Sequence, residues 1–272
     1  MKFIDIHAHL EHARFENDLD KVIERCRKKN VLVIASGVNS ATNRQILQIK
    51  NKYPDVVKIS FGLYPLDALA KELENSETNG FPRDIEKLDV DKELNWVEEH
   101  KKDCVAIGEI GLDYNWPEFQ SEELKKQQKE NFKKIIKLAK KIKKPIIIHS
   151  RKAEQDAIEI LEQEIKNNEI PVVMHCFSGK KSLIKKCIEN KYYLSVPPVI
   201  TRLLHFQMLV ELVPLEQLLT ETDSPYLSPV AGERNEPANI EITIEKIAEI
   251  KKISKKEVAE QIYKNALKIF NL

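Results

Sequence analysis

The stretch PIIIHSRKAEQDAIEILEQEIKNNEIPVVMH, Pro145 to His175, carries the pattern from which the fold is read. It opens on a short β-branched run, Pro145–His149, passes through an amphipathic segment, Ala153–Lys166, and closes on a second short run, Pro171–His175. Continuous apolar runs of this length read as strands buried on both faces, and a helix-length connection between two of them makes a βαβ unit with parallel strands. Both runs end on a histidine.

The same alternation extends in both directions. Phe3–Ile6, Val31–Ala35, Val57–Phe61 and Cys104–Gly108 read as four earlier strands, and Tyr192–Val196 and Leu218–Thr222 as two later ones, making eight. Helical patterns lie between them at Asp18–Lys29, Ser40–Lys50, Asp91–Lys101, Glu122–Lys141, Lys180–Asn190 and Leu203–Val213, and Ile240–Ile250 and Lys255–Phe270 close the chain. Eight strands, each followed by helix, predict an α/β fold of the (β/α)8 TIM-barrel type. An open doubly wound sheet would need a glycine-rich phosphate turn after an early strand. None is present, and most of the seven glycines sit at strand ends. Ala70–Asp89, with Gly80-Phe81-Pro82, reads as a surface insertion after the third strand. With no internal repeat or low-complexity linker, residues 1–272 read as one domain, a length usual for such a barrel.

The 44 Lys and Arg nearly cancel the 43 Asp and Glu, for a formal charge of +1, so the chain lacks the global basic surface that tracks long nucleic acid. Any nucleic-acid contact is expected to be local. Cys26, Cys104, Cys176 and Cys187 are scattered without CxxC spacing and no apolar leader precedes the first strand, which predicts a reduced, cytoplasmic protein. No apolar run approaches the roughly 20 residues needed to cross a bilayer. A monomer or small homo-oligomer is expected.

In Phe3–Leu10, Asp5, His7 and His9 alternate with apolar residues, and a strand's period of two puts all three on one face. Two imidazoles so placed can grip one cation. Glu109 follows the fourth strand, His149 ends the fifth, His175 ends the sixth and Asp223 follows the eighth, all at C-terminal strand ends. Singly, each has an ordinary structural reading: a barrel-mouth carboxylate paired with lysine, core histidines, a turn cap. Six together at successive strand ends converge on the rim where barrel active sites gather. The mixed nitrogen and oxygen ligands predict two divalent metal ions, Zn²⁺, Mg²⁺ or Mn²⁺, with Glu109 as the bridge. Such a pair activates water for attack on a phosphoester, with Asp223 as the base.

The runs Asp5-Ile6-His7-Ala8-His9-Leu10, Ile107 to Tyr114, Ile147 to Arg151, His175-Cys176-Phe177-Ser178-Gly179 and Glu221 to Leu227 are similar, in order and across nearly the whole chain, to the motifs of TatD-type metal-dependent hydrolases. The resemblance implies a metal-dependent deoxyribonuclease of the amidohydrolase-like barrels, working as a 3′-5′ exonuclease on single-stranded DNA. It also implies a grouping of ligands: His7, His9, Glu109 and Asp223 around one metal, and Glu109, His149 and His175 around the other. Nucleic acid, at DNA ends, is then the partner.

Arg151 is expected to hold a substrate phosphate, with a rim salt bridge as the plain alternative. Ser178 and Gly179 offer a hydroxyl and an N–H near the sixth helix start, as an anion site or an ordinary cap. Cys176 reads as packing, and Asp113 and Tyr114 as support for the site or as shapers of the fourth loop. Two positions depart from the family. Gly62-Leu63-Tyr64-Pro65 stands where Gly-x-His-Pro is common, and Tyr64, with an ordinary pKa of about 10, can donate to phosphate or stack on a base but does not replace a titrating imidazole. Ser195-Val196-Pro197-Pro198 stiffens the seventh loop where a glycine turn is common. A second enzymatic reading is an amidohydrolase-like hydrolase of an amide, lactone or aminoacyl ester. Many of those bridge their metals with a carboxylated lysine at the fourth strand, where this chain has Glu109. A third reading, a non-catalytic metal-binding protein, would be marked by a lost ligand, and none is lost.

Overall fold

The computed structural model describes residues 1–69, 88–117 and 120–272. The insertion expected at Ala70–Asp89 lies outside the described residues, apart from Leu88 and Asp89. Eight strands form in the expected places: β1 (Phe3–Ala8), β2 (Val31–Ser36), β3 (Val57–Phe61), β4 (Ala106–Gly111), β5 (Ile146–His149), β6 (Val172–Met174), β7 (Tyr193–Val196) and β8 (Leu218–Thr220). They pair in chain order and every neighbouring pair is parallel. Closure comes from β8 and its loop meeting β1. Thr220 Oγ1 donates to the Ile4 carbonyl at 2.7 Å, the Asp223 N–H to the His7 carbonyl at 2.9 Å, and the His9 N–H to the Ser224 carbonyl at 2.8 Å. The result is the (β/α)8 barrel.

Nine α-helices are found among the described residues: α1 (Leu19–Lys29), α2 (Ser40–Lys52), α3 (Val90–Glu99), α4 (Glu122–Ile142), α5 (Glu154–Glu164), α6 (Lys181–Glu189), α7 (Leu204–Leu212), α8 (Ile240–Lys251) and α9 (Lys255–Phe270). Local chemistry sets several ends. Asn39 with Thr42, and Ser254 with Glu257, form reciprocal caps that satisfy the first N–H groups of α2 and α9. The strands are buried on both faces, as parallel strands between a packed interior and a ring of helices must be. Every residue from Phe3 to Leu10 is buried, so the polar alternates Asp5, His7 and His9 need partners inside the barrel. No described helix is long and apolar enough to cross a membrane.

Three strand ends differ from expectation in ways that matter for the site. β4 runs to Gly111 rather than Gly108, so Glu109 lies within the strand instead of after it. After a register shift between Ile107 and Ile110, pairing with β5 resumes at Ile110–Ile148 and Gly111–His149. Gly111 has a φ of +140°, and a Cβ there would lie 2.0 Å from the His149 carbonyl oxygen, so only glycine lets the two strands continue together. β6 and β8 stop early, leaving His175 one residue and Asp223 three residues beyond their strands. Left-handed backbone at Cys176 (φ 43°) and Asp223 (φ 53°) turns the chain there.

Candidate metal centre

His7 on β1 sets Nδ1 3.0 Å from the Ser36 hydroxyl at the end of β2. Its Nε2 faces the other way, 3.2 Å from His9 Nε2, 3.4 Å from Glu109 Oε2 and 3.6 Å from Asp223 Oδ1. His9 backs onto Glu11, Nδ1 to Oε1 at 3.6 Å, and turns Nε2 to Asp223 Oδ1 at 3.3 Å. His175 backs onto Glu221, Nδ1 to Oε2 at 2.9 Å, and turns Nε2 to Glu109 Oε2 at 3.3 Å. His149 backs onto Asp113, Nε2 to Oδ2 at 3.0 Å, and sets Nδ1 3.7 Å from Glu109 Oε2. Each of the four rings therefore offers one nitrogen to a common centre while a hydroxyl or carboxylate fixes the other. Metal-bound imidazoles are held in this way, because the outer hydrogen bond sets both tautomer and ring orientation.

The donor set fits divalent cations. One group of atoms close enough to share an ion comes from His7, His9 and Asp223, and another from His7, Glu109 and His175. Histidine nitrogens suit a borderline ion such as Zn²⁺, while the two carboxylates also accept Mg²⁺ or Mn²⁺. His7 belongs to both groups, and His149 joins the cluster through Glu109 at 3.7 Å while its other nitrogen meets Asp113.

The charges interlock. Burial pushes the Glu109 carboxyl up, but hydrogen bonding to His149, His175 and His7 outweighs it and holds the group well below the usual carboxylate range. Burial likewise works against Asp223, and His9 with the neighbouring imidazoles brings its pKa below normal. Burial disfavours charge on His175 and His9, yet Glu221 and Glu109 on the first, and Asp223 and Glu11 on the second, raise both well above an ordinary histidine. His7, pressed by burial and by His175, is lowered. The centre thus pairs ionised carboxylates with rings that attract protons, a state in which cations can replace protons. Asp5 plays a different part on the same strand face. It accepts N–H bonds from His7 at 3.1 Å and Thr222 at 2.9 Å, and the Thr222 hydroxyl, bracing β1 against the loop after β8. Burial pushes its carboxyl up to about 8.

The centre opens into a cavity of about 620 Å³ lined by Glu109, His149, His175 and Asp223 together with Arg151, Tyr64, Trp116 and Tyr226. Arg151 donates from Nε and Nη2 to Asp113 Oδ2 at 3.0 and 2.7 Å, and from Nη2 to the Tyr64 oxygen at 3.3 Å. Tyr64 donates its own O–H to Asp113, and its ring meets His149 edge-on at 5.0 Å. Asp113 therefore ties His149, Arg151 and Tyr64 together, which holds its carboxyl down at about 2 against the effect of burial. Tyr114 bonds Asp156 on α5 at 3.0 Å. Ser178 does not line the cavity: its hydroxyl donates to Glu154 at 2.7 Å, and Lys180, not Ser178, precedes α6. Cys176 packs half-buried on the core and gives its backbone N–H to Glu221 Oε1 at 2.7 Å.

Three residues of the site escape sequence reasoning: Ser36, Glu11 and Glu221. Glu221 has a visible signal, a carboxylate two residues before Asp223 at the end of β8. Ser36, the one polar residue in VLVIAS, has a weaker one.

An α/β barrel with a buried histidine–carboxylate cluster at the C-terminal ends of its strands belongs to the class of metal-site barrels. More specifically, the family described as TatD related DNase matches residues 4–271, and the chain belongs to that family. A Methanocaldococcus jannaschii protein named as an uncharacterized metal-dependent hydrolase is 34% identical over 99% of this chain and 97% of its own. The human deoxyribonuclease TATDN3 is 36% identical over 98% of this chain and 94% of its own. In fold, the crystal structure of a TatD family hydrolase from Entamoeba histolytica superposes with a TM-score of 0.82 at 22% identity, covering 99% and 98% of the two chains.

Proposed function

We propose that this chain is a divalent-metal-dependent phosphodiesterase, a deoxyribonuclease that trims single-stranded DNA from its 3′ end. One observation supports the reading: a single oxygen, Glu109 Oε2, lies 3.3, 3.4 and 3.7 Å from three imidazoles, a buried carboxylate gathered with nitrogen donors that could hold a cation. The name of the human relative, a deoxyribonuclease, agrees with it.

Bound divalent ions supply Lewis acidity that acidifies water and neutralises charge on a phosphoryl oxygen. His7, His9, His149, His175, Glu109 and Asp223 are the residues that would hold them. Asp223 is the base: its carboxyl, held below the normal range, is ionised at neutral pH, and Oδ1 accepts the proton of the attacking water. His9 Nε2 lies 3.3 Å from that oxygen, in the same ligand cluster. Arg151, with 41% of its side chain exposed, lies in the cavity wall as a cation for the substrate phosphate. Asp113 and Tyr64 hold the guanidinium in place.

The test is an assay of metal-reconstituted protein on end-labelled single-stranded and duplex DNA, beside a chromogenic phosphodiester and a carboxylic ester. A ladder shortening from the 3′ end of single strands is expected. Turnover of the carboxylic ester with no phosphodiester cleavage would move the assignment to the amide and ester hydrolases of this barrel class.

A further inference from the structure

Glu11 backs His9 through Oε1, yet its side chain is only 6% exposed and its Oε2 is buried without a hydrogen-bond partner. A buried, uncompensated carboxylate oxygen is costly and is expected to meet a donor in the working state. Its position says which donor. Contacts run from Arg151 to Asp113, His149, Glu109, His7, His9 and Glu11, so Arg151 and Glu11 stand at the two ends of a chain that passes through the candidate metal ligands. Both line the same cavity, and Arg151 is the one arginine or lysine lining it among the described residues. A phosphate fits the end near Arg151. At the other end a second phosphate would meet the Glu11 carboxylate itself, whereas a neutral donor would satisfy Oε2.

Glu11 also borders an adjoining cavity of about 480 Å³, floored by Leu10, Phe15 and Leu19, with room for a nucleoside. Because Glu11 touches His9, the donor it meets must lie close to the reacting phosphate. In a nucleotide that group is a sugar hydroxyl, since the amino groups of the bases lie several bonds further away.

We propose that Glu11 is a specificity-determining residue that accepts a hydrogen bond from a free sugar hydroxyl of the nucleotide being hydrolysed, so that the site reads a hydroxyl-terminated nucleotide end and rejects a phosphorylated one. This rests on the phosphoester reading above.

The experiment compares the metal-reconstituted protein with its Glu11→Ala and Glu11→Gln variants. Substrates are thymidine 5′-p-nitrophenyl phosphate with its 3′-deoxy analogue, and thymidine 3′-p-nitrophenyl phosphate with its 5′-deoxy analogue. For one of the two pairs, loss of the hydroxyl is expected to lower kcat/KM about tenfold in the wild type, the scale of a hydrogen bond to a buried charged acceptor. In Glu11→Ala that ratio falls to about one, and in the isosteric Glu11→Gln, which keeps an acceptor oxygen, it lies between. An unchanged ratio in both variants, or no ratio in the wild type, overturns the proposal. So does an equal loss on all four substrates, which would mean that Glu11 acts only through His9. If no phosphoester is cleaved, the phosphoester reading fails by itself. Calorimetric titration of thymidine 5′- and 3′-monophosphates against the same deoxy analogues then decides Glu11: hydroxyl discrimination lost in Glu11→Ala supports its role, and none overturns it.

Discussion

Asp113 shows how much one side chain can organise. A single oxygen, Oδ2, accepts from Tyr64, His149 and Arg151, while Oδ1 accepts the Asn115 N–H at 2.8 Å. The sign of its pH effect follows from its pKa. A carboxyl held at about 2 in the fold and near 4 when unfolded contributes stability that is fully present above pH 4 and is lost as pH falls through 4 toward 2. The gap corresponds to roughly 3 kcal/mol in full, of which about 2 kcal/mol is lost by pH 2. Urea unfolding between pH 5 and pH 2 should show the wild type losing roughly that much more than Asp113→Asn; parallel curves would contradict this account. Asp223→Asn keeps a ligand oxygen but removes the base, so metal content should be largely retained while kcat falls roughly 10²- to 10⁴-fold. Metal analysis with steady-state kinetics checks both halves of that expectation.

Among the elements, β4 is the one on which the site turns. It carries Glu109 within the strand only because pairing with β5 resumes beyond a register shift, and that pairing needs Gly111 at φ +140° against the His149 carbonyl. Gly111→Ala brings both a strained φ and a 2.0 Å contact with backbone, and is expected to destabilise the protein by about 2–4 kcal/mol. Because the clash falls on His149 itself, metal affinity should fall as well, which titration of the apoprotein with Zn²⁺ or Mn²⁺ would reveal. A cap far from the site sets the scale for comparison: Ser254→Ala removes half of the α9 capping box and should cost about 1 kcal/mol without touching metal binding.

For the whole molecule, charge balance and barrel closure govern behaviour. With a formal charge of +1 and one arginine in the cavity wall among the described residues, DNA binding should engage few phosphates. The logarithm of affinity should then fall with the logarithm of salt at a slope of only about −1 to −2; a steep slope, the mark of many released counterions, would contradict an end-binding site. Metal bound by the folded barrel and not by the unfolded chain stabilises it, so chelation should lower Tm as well as abolish activity, and re-addition of Mg²⁺, Mn²⁺ or Zn²⁺ singly should restore both with the serving ion. Much of this was legible in the chain. Strand and helix periods alone determined the eight-fold alternation, and the period of two put Asp5, His7 and His9 on one face. The barrel rule then brought Glu109, His149, His175 and Asp223 to the same rim. Distances between strands were not legible, because Glu221 meets His175 across 46 residues and Ser36 meets His7 across 29. For the same reason only the folded barrel decided that Asp5 is a brace, that His149 leans on Asp113, that Ser178 turns to Glu154, and that Glu11 keeps a buried oxygen without a donor. Periodicity tells which way a side chain faces along its own strand, whereas hydrogen-bond partners are chosen by closure of the sheet, which no local pattern encodes.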